Sequence, residues 1–406
     1  SSLPMSCPPS KVAVILSRFP YPLEKGDKLR AYQHLKNLAA SGHEVHVIAL
    51  SDVPVTAEHQ AMVSPFCASI TVLPLSFTTR VFNLLRSFVR GLPLQVGYFL
   101  SPHAQRRVRE LLRTLQPDLV YCQLIRTATY FAESGSHAPS VIDYQDAFSR
   151  GTEQRVSTAP WYLLPLYKRE LRTVRAYESR SAAWFNEHII ISEQDRVVMF
   201  RSGGHNVTVL PNGIDTEYFA PQDVPKTVDV AFVGNMNYPP NVDAAIYLVN
   251  TIMPIVWQTM PHARVVIAGA SPHRSVRALA SERVEITGWV DDIRSCYAAS
   301  RVFVAPMRIG TGLQNKLLEA MAMGVACITT PISHEPVGAR ADDEIRVGDS
   351  PDSLAVHIMD LLAHEAERER LAEAGRNYVT STYAMEHTRT VLNDVFARAL
   401  MRGRGQ

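Results

Sequence analysis

No stretch of this 406-residue chain approaches the roughly 18 to 20 consecutive apolar residues that a bilayer crossing demands, so a membrane-spanning protein is not expected. The opening SSLPMSCPPSK lacks the apolar core of a secretory leader, and export is not expected either. Cysteine is scarce: Cys7, Cys67, Cys122, Cys296 and Cys327 are odd in number, widely spaced and without a C-x-x-C pair. That argues against a disulfide framework and against zinc, and it suits a reducing cytoplasm. One-sided charge is missing too. A formal net charge of +2 is too weak a field to make nucleic acid the main partner, while an acidic small molecule stays open.

What is present is the composition of ordinary folded domains, 46% hydrophobic and 20% charged, in a length that suits two of them. Short β-branched runs alternate with longer amphipathic segments, as in parallel sheets covered by helices. VAVIL (12–16), EVHVIAL (44–50), SITVL (69–73), DLVYC (118–122), SVID (140–143) and HIIIS (188–192) form one series of expected strands. VDVAFVG (228–234), ARVVIAG (263–269), RVEITG (283–288), RVFVAP (301–306) and GVACITT (324–330) form a second. Between them VTVLPNGIDTEYFAPQDVPKT reads as a turn and a Pro-rich connector, with the boundary near 210–225. The expected domains are therefore 1–208 and 209–384, with a helix over 385–406 that carries Val391, Val395, Ala399 and Leu400 and returns to the first domain.

Ligands of open α/β sheets bind beyond the C-terminal ends of the strands, so the loops after strands are where chemistry is sought. After RVFVAP comes RIGTGLQNKLLEAMAMG, in which Gly310 and Gly312 allow close backbone approach and a helix opens near Leu313 with free N–H groups and its positive dipole end. Glu319 then lies about 10 Å along the helix, the distance from a pyrophosphate to the ribose of its nucleotide. A carboxylate accepts two hydrogen bonds, which matches adjacent ribose hydroxyls, and Lys316 one turn earlier can neutralise phosphate charge. The plain alternative is an exposed i,i+3 ion pair worth a few tenths of a kcal/mol, and the pair alone does not choose between them.

Four segments in order decide the matter by resemblance: PLEKGDKLRAYQHLKNLAASGHEVHVI, LPNGIDTEYFAP, TGWVDDIRSCYAASRVFVAP and GLQNKLLEAMAMGVACITT. Together they resemble the retaining glycosyltransferases of family four, and RFPYPLEKGDKLRAY, VIDYQDAFSRG and LYKRELRTVRAYESR are most similar to the bacterial exopolysaccharide and exosortase-associated sugar transferases. The resemblance implies an α/β GT-B architecture, two facing Rossmann-like doubly wound domains with a cleft between them. It implies transfer of a sugar from a UDP- or GDP-sugar to a glycan or lipid-linked acceptor, with retention, no cofactor and no required metal. It also implies cytoplasmic work, peripheral to the membrane face at most.

Carried over by position, Glu319 corresponds to the ribose-binding Glu, and Gly312, Leu313 and Gln314 to the turn at the diphosphate. Where the family has a Glu on the transferred sugar this chain has Thr311, and where the family has cations after VDVAFVG it reads Gly234-Asn235-Met236-Asn237-Tyr238-Pro239-Pro240. Arg308 and Lys316 are the nearest replacements for that charge. Trp289 and Val290 fall where the family meets the base. In the first domain Gly26 is expected at the donor phosphate, Lys25 and Asp27 at the acceptor, with a plain helix cap as the other reading of Asp27. Asp143 and Asp146 stand near the position of a family His and are candidate hydrogen-bonding partners of acceptor or sugar; Asp291-Asp292, Asp342-Asp343 and Ser192–Asp195 read as caps and turns.

Two other readings share these residues: a GT-B-fold nucleotide-sugar epimerase, and a non-catalytic nucleotide-sugar-binding subunit of a polysaccharide complex. Separately, TTRVFNLLRSFVRGL (78–92) is a basic amphipathic helix that either rests on anionic lipid or, more plainly, buries its apolar side in the first domain.

Overall fold

The protein is described here by a computed structural model covering residues 8–23, 26–200, 203, 205–309 and 312–403. Its contacts gather into two units, one made of the chain up to Pro211 with the stretch from Thr388 on, the other of Asn212–His387.

The first unit holds β1 (Lys11–Leu16), β2 (Glu44–Ser51), β3 (Ser69–Pro74), β4 (Leu119–Gln123), β5 (Ser140–Asp143), β6 (Glu187–Ile190) and β7 (Val207–Val209). All pair in parallel, in the order β3-β2-β1-β4-β5-β6-β7. Strands buried on both faces need no polar alternation, which is why VAVIL is a continuous apolar run. Period two still sorts them: Ala13, Ile15, Val120, Cys122 and Ile142 enter one core, and Val12, Val14, Leu16, Leu119, Tyr121 and Val141 the other. The C-terminal helix Met385–Gly403 covers that second face with Leu392, Val395, Phe396, Ala399 and Leu400.

The second unit holds β8 (Val228–Val233), β9 (Val265–Ala268), β10 (Val284–Gly288), β11 (Ser300–Ala305), β12 (Ala326–Thr329) and β13 (Arg346–Val347), parallel throughout in the order β10-β9-β8-β11-β12-β13. Both sheets follow the doubly wound order, so the direction of winding reverses between β1 and β4 and again between β8 and β11. Those reversals open a crevice at the strands' C-terminal ends.

Three local expectations are corrected. VTV, read as part of a connector, is strand β7, and β13 was not anticipated; at three and two residues both are too short to carry a period. The helix expected near Leu313 begins at Asn315, because Gly312 takes φ +90° and Gln314 is extended at its N-cap. The basic amphipathic helix, Phe77–Val89, does not bury its apolar side. Asn83 and Ser87 are buried, while Val81, Phe82, Leu85, Phe88 and Val89 face solvent.

A buried ion pair locks the first unit. Arg30 and Asp143 are both 0% exposed, with Arg30 Nε and Nη2 donating to Asp143 Oδ2 and Oδ1 at 2.7 and 3.1 Å. Nη2 also donates to the Leu210 carbonyl, and Asp143 further accepts from the Tyr121 hydroxyl and the Gln145 N–H at 2.9 and 3.0 Å. His34 Nδ1 lies 2.7 Å from the same hydroxyl. Asp143, expected at the substrate, is instead consumed inside the fold. Burial pushes its pKa up, but the Arg30 charge and the hydrogen bonds more than offset that and leave it below the ordinary carboxylate value.

Asp143→Asn keeps the shape and strands Arg30 without a counter-charge, so equilibrium unfolding should show a loss of about 3 to 5 kcal/mol. Acid should also weaken this unit. Burial, and then the Arg30 charge, lowers the His34 pKa to about 3, so the unfolded chain takes up a proton below pH 6.5 that the folded chain refuses. Melting temperature should therefore fall as pH drops from 6.5 towards 3, and His34→Gln should flatten that dependence.

Candidate functional site

In the second unit the loops that leave β8 and β11 meet at the reversal of strand order. Gly234 follows β8, and a Cβ there would stand 2.6 Å from Asn241 Nδ2, so the position admits only glycine without displacement. Asn241 Nδ2 donates to the Asn235 carbonyl at 3.0 Å, closing the turn. The next helix, Pro239–Tyr247, opens on two prolines, which have no N–H to offer an anion. After β11 the helix Asn315–Ala322 is different: Asn315 and Lys316 lead it with N–H groups that the helix itself does not use. The anion-receptive end of this crevice is therefore the Gln314–Lys316 turn.

Lys316 points into the same place. Its Nζ donates to Asn241 Oδ1, lies 3.9 Å from Met307 Sδ and sits 5.3 Å from the centre of the Phe232 ring. Burial lowers its pKa to about 8, against the pull of Glu319. Lys316 and Glu319 do not form the surface ion pair that the sequence left open. Glu319 is met by a residue that was quoted but not singled out: the Tyr297 hydroxyl, fully buried, donates to Oε2 at 2.7 Å. Oε1 is left to accept from outside. Burial raises the Glu319 pKa, tempered by Tyr297 and Lys316; the residue is half-buried, and no side chain donates to the second oxygen among the described residues. With the helix starting at Asn315, Glu319 stands about 6 Å along it rather than about 10 Å.

Other expected donor residues are placed as follows. Arg308 is not a free cation for a diphosphate: its Nη2 and Nε hold Asp243 Oδ1 and Oδ2 at 2.6 and 3.1 Å, and its guanidinium stacks 4.3 Å from the Tyr247 ring centre. The Asn235 side chain is used locally, accepting from the Asn237 N–H at 3.0 Å. Trp289 is 74% exposed beyond the edge strand β10, its Nε1 donating to Asp291 at 3.1 Å, with Val290 half-buried beside it. Leu313 packs on the core, and Gln314 Nε2 reaches back to the Gly312 carbonyl at 3.4 Å. Gly310 and Thr311 lie outside the described residues, as does Lys25.

In the first unit, Gly26 opens the helix Gly26–Ala40, and a Cβ on it would lie 3.6 Å from Gln145 Nε2, so this loop and the loop after β5 adjoin. Asp27 sits in the first turn and pairs with Arg18 at 2.7 Å rather than capping the helix. Asp146 follows Gln145. Crowding by protein, and then Asp195, pushes its pKa up to about 6; solvent still reaches the carboxyl and softens the shift, whose direction is upward. Of the two aspartates, only Asp146 keeps a carboxyl available to a substrate.

Sequence reasoning missed Tyr297 and Asn241. Both were findable in principle, since a carboxylate and an ammonium on an apolar helix each require a polar partner.

The model of Glycosyltransferase Family 4 matches residues 29–218 and that of Glycosyl transferases group 1 matches residues 227–364. A curated relative, an uncharacterized 44.6 kDa protein in the cps region of Klebsiella pneumoniae, is 20% identical over 92% of this chain and 96% of its own length. Anabaena HepE in complex with UDP superposes with a TM-score of 0.68 at 13% identity, covering 94% of this chain and 98% of that one. WaaG, a glycosyltransferase involved in lipopolysaccharide biosynthesis, gives 0.62 at 16% identity over 94% and 99%. Sucrose-phosphate synthase from Thermosynechococcus elongatus gives 0.65 at 15% over 95% and 98%. The fold is that of the GT-B glycosyltransferases.

If Lys316 supplies the charge at the Gln314–Lys316 turn, binding of inorganic pyrophosphate measured by calorimetry should weaken as pH rises through about 8, where its ammonium deprotonates. Lys316→Met should bind weakly at every pH and show no such step.

Proposed function

We propose that this chain, whose two halves match the models of Glycosyltransferase Family 4 and of Glycosyl transferases group 1, moves a sugar from a UDP-sugar to a glycan or lipid-linked acceptor in bacterial polysaccharide synthesis, with retention at the anomeric carbon. The observation that carries the donor assignment is the half-compensated Glu319. Tyr297 fixes Oε2, and Oε1 faces a ribose hydroxyl of a nucleotide whose diphosphate lies ahead of the helix start, at the Gly312–Gln314 turn and within reach of Lys316. That HepE has been solved with UDP and with UDP-glucose supports uracil as the base.

In this reading the bond from the anomeric carbon to the diphosphate oxygen breaks and a bond to the acceptor oxygen forms on the same face. The proton of the acceptor hydroxyl passes to the departing diphosphate. The chain's own contribution is placement and charge: Lys316 and the leading N–H groups meet the developing negative charge, and one such stabiliser is typically worth about 3 kcal/mol of barrier. Asp146, whose carboxyl stays open to solvent with its pKa pushed upward, is the first-unit group suited to accept a hydrogen bond from an acceptor hydroxyl. The acceptor is reached at the cytoplasmic face of a membrane, and no metal takes part.

A second reading, a non-catalytic nucleotide-sugar-binding subunit, is favoured by one observation: the turn after β8 holds no cation, and Arg308 is already paired with Asp243. Acceptor-dependent release of UDP from a UDP-sugar would eliminate it.

Thermal unfolding with UDP, GDP and ADP tests the donor site. A ligand at about 100 times its dissociation constant adds roughly 2.7 kcal/mol, a shift of a few degrees in a protein of this size. UDP should stabilise the wild type more than GDP or ADP, Tyr297→Phe should respond less, and Glu319→Ala should not respond. An equal response from Glu319→Ala would refute the ribose assignment.

A further inference from the structure

The helix Phe77–Val89 is mounted against the rule for a surface helix. Its polar stripe, Asn83 and Ser87, is buried, and the mounting is tight: a Cβ on Gly97 would come within 2.0 Å of Ser87 Oγ. Its apolar stripe stands in solvent instead, with Phe82 65%, Leu85 66% and Val89 87% exposed. Rotation about the helix axis is thus fixed by packing, and the exposed ridge is a standing feature of the unit. The neighbouring helix Leu164–Ala182 touches it through Arg169, whose guanidinium lies 4.1 Å from the Phe88 ring centre. Trp161, just before that helix, is 85% exposed.

Beside the ridge is a cavity of 480 Å³, of a size that holds small ligands. Arg86 and Arg90 come from the ridge helix and its end; Arg106 and Arg180 come from two other helices, and the one carboxylate among the lining residues is Glu133. None of the four arginines takes part in an ion pair among the described residues, and Leu92, Leu100 and Trp184 supply apolar wall. Gln105, only 7% exposed, lines the cavity as well; its Nε2 donates to the Thr129 carbonyl, and its Oε1 has no partner. Convergent guanidinium groups match phosphate oxygens, and an unpartnered acceptor among them suits a ligand that also carries hydroxyls.

We propose that this cavity takes the phosphate headgroup of an anionic glycerophospholipid while Phe82, Leu85 and Val89 enter the acyl boundary of the same leaflet. The charge complementarity commits the ridge to a lipid surface: a protein partner would not require four unpaired arginines converging on a cavity beside an apolar edge. The proposal gives the membrane-face part of the functional reading its residues. It does not depend on the donor site, which lies in the other unit.

The test is sedimentation of the full chain with vesicles of phosphatidylcholine alone and of phosphatidylcholine mixed with phosphatidylglycerol. Binding should require phosphatidylglycerol and weaken with salt. Each arginine near an anionic surface contributes roughly fivefold in partition, so removing Arg86 and Arg90 by substitution with Gln should weaken binding by about 25-fold. Leu85→Asp with Val89→Asp should abolish insertion. Both variants should keep the wild-type melting temperature and UDP response, which separates failure here from failure of the donor assignment. Equal binding to both vesicle types, or undiminished binding by Arg86→Gln/Arg90→Gln, overturns the proposal. Binding of glycerol phosphate by calorimetry without vesicle association overturns it too, and reassigns the cavity to a soluble anion.

Discussion

A charge taken out of water must be met by partners, and the way this chain meets its buried charges separates what holds the fold from what is free to act. Asp143 and Arg30 are both fully buried and bonded to each other, to Tyr121, to Gln145 and to the Leu210 carbonyl. Nothing about that carboxylate is left over. It ties the end of β5 to β4, to the first helix and to the segment after β7, and a substrate has no access to it.

Glu319, on the helix Asn315–Ala322 rather than at a strand end, is treated differently. Tyr297 takes one oxygen, and the Lys316 ammonium turns away to Asn241. The carboxylate is held in place yet short of a partner, as an oxygen waiting for a hydroxyl must be. Lys316 stands in a related condition, its charge made costly by burial and answered by an amide oxygen rather than a carboxylate. A phosphate beside Lys316 and a hydroxyl donating to Glu319 would relieve the two costs together, which connects the stability of this unit to occupancy of its crevice.

The helix Phe77–Val89 shows the converse. There the interior accepts Asn83 and Ser87, while phenylalanine, leucine and valine are left outside beside a cavity of arginines. The unit gives up the burial of its apolar ridge, which fits a surface whose solvent is not only water.

Most of the strands and the fold class were legible in the sequence, because strands covered on both faces must be continuous apolar runs and helices between them must show the longer period. The pairing of Gly312 with a following helix, and the need for something polar at Glu319, could be read there as well. What the sequence could not supply was identity of partners across the fold. Asn241 is 75 residues from Lys316, and only the reversal of strand order between β8 and β11 brings those loops together; Tyr297, 22 residues from Glu319, reaches it from the short helix Arg294–Ala298 that precedes β11. The same limit explains Asp143 and Arg308: at the ends of strands both looked available, and the tertiary structure had already paired them with Arg30 and Asp243. Which face of the Phe77–Val89 helix is buried was equally undecided, since an amphipathic pattern specifies two faces, and packing of Ser87 against Gly97 chose the polar one.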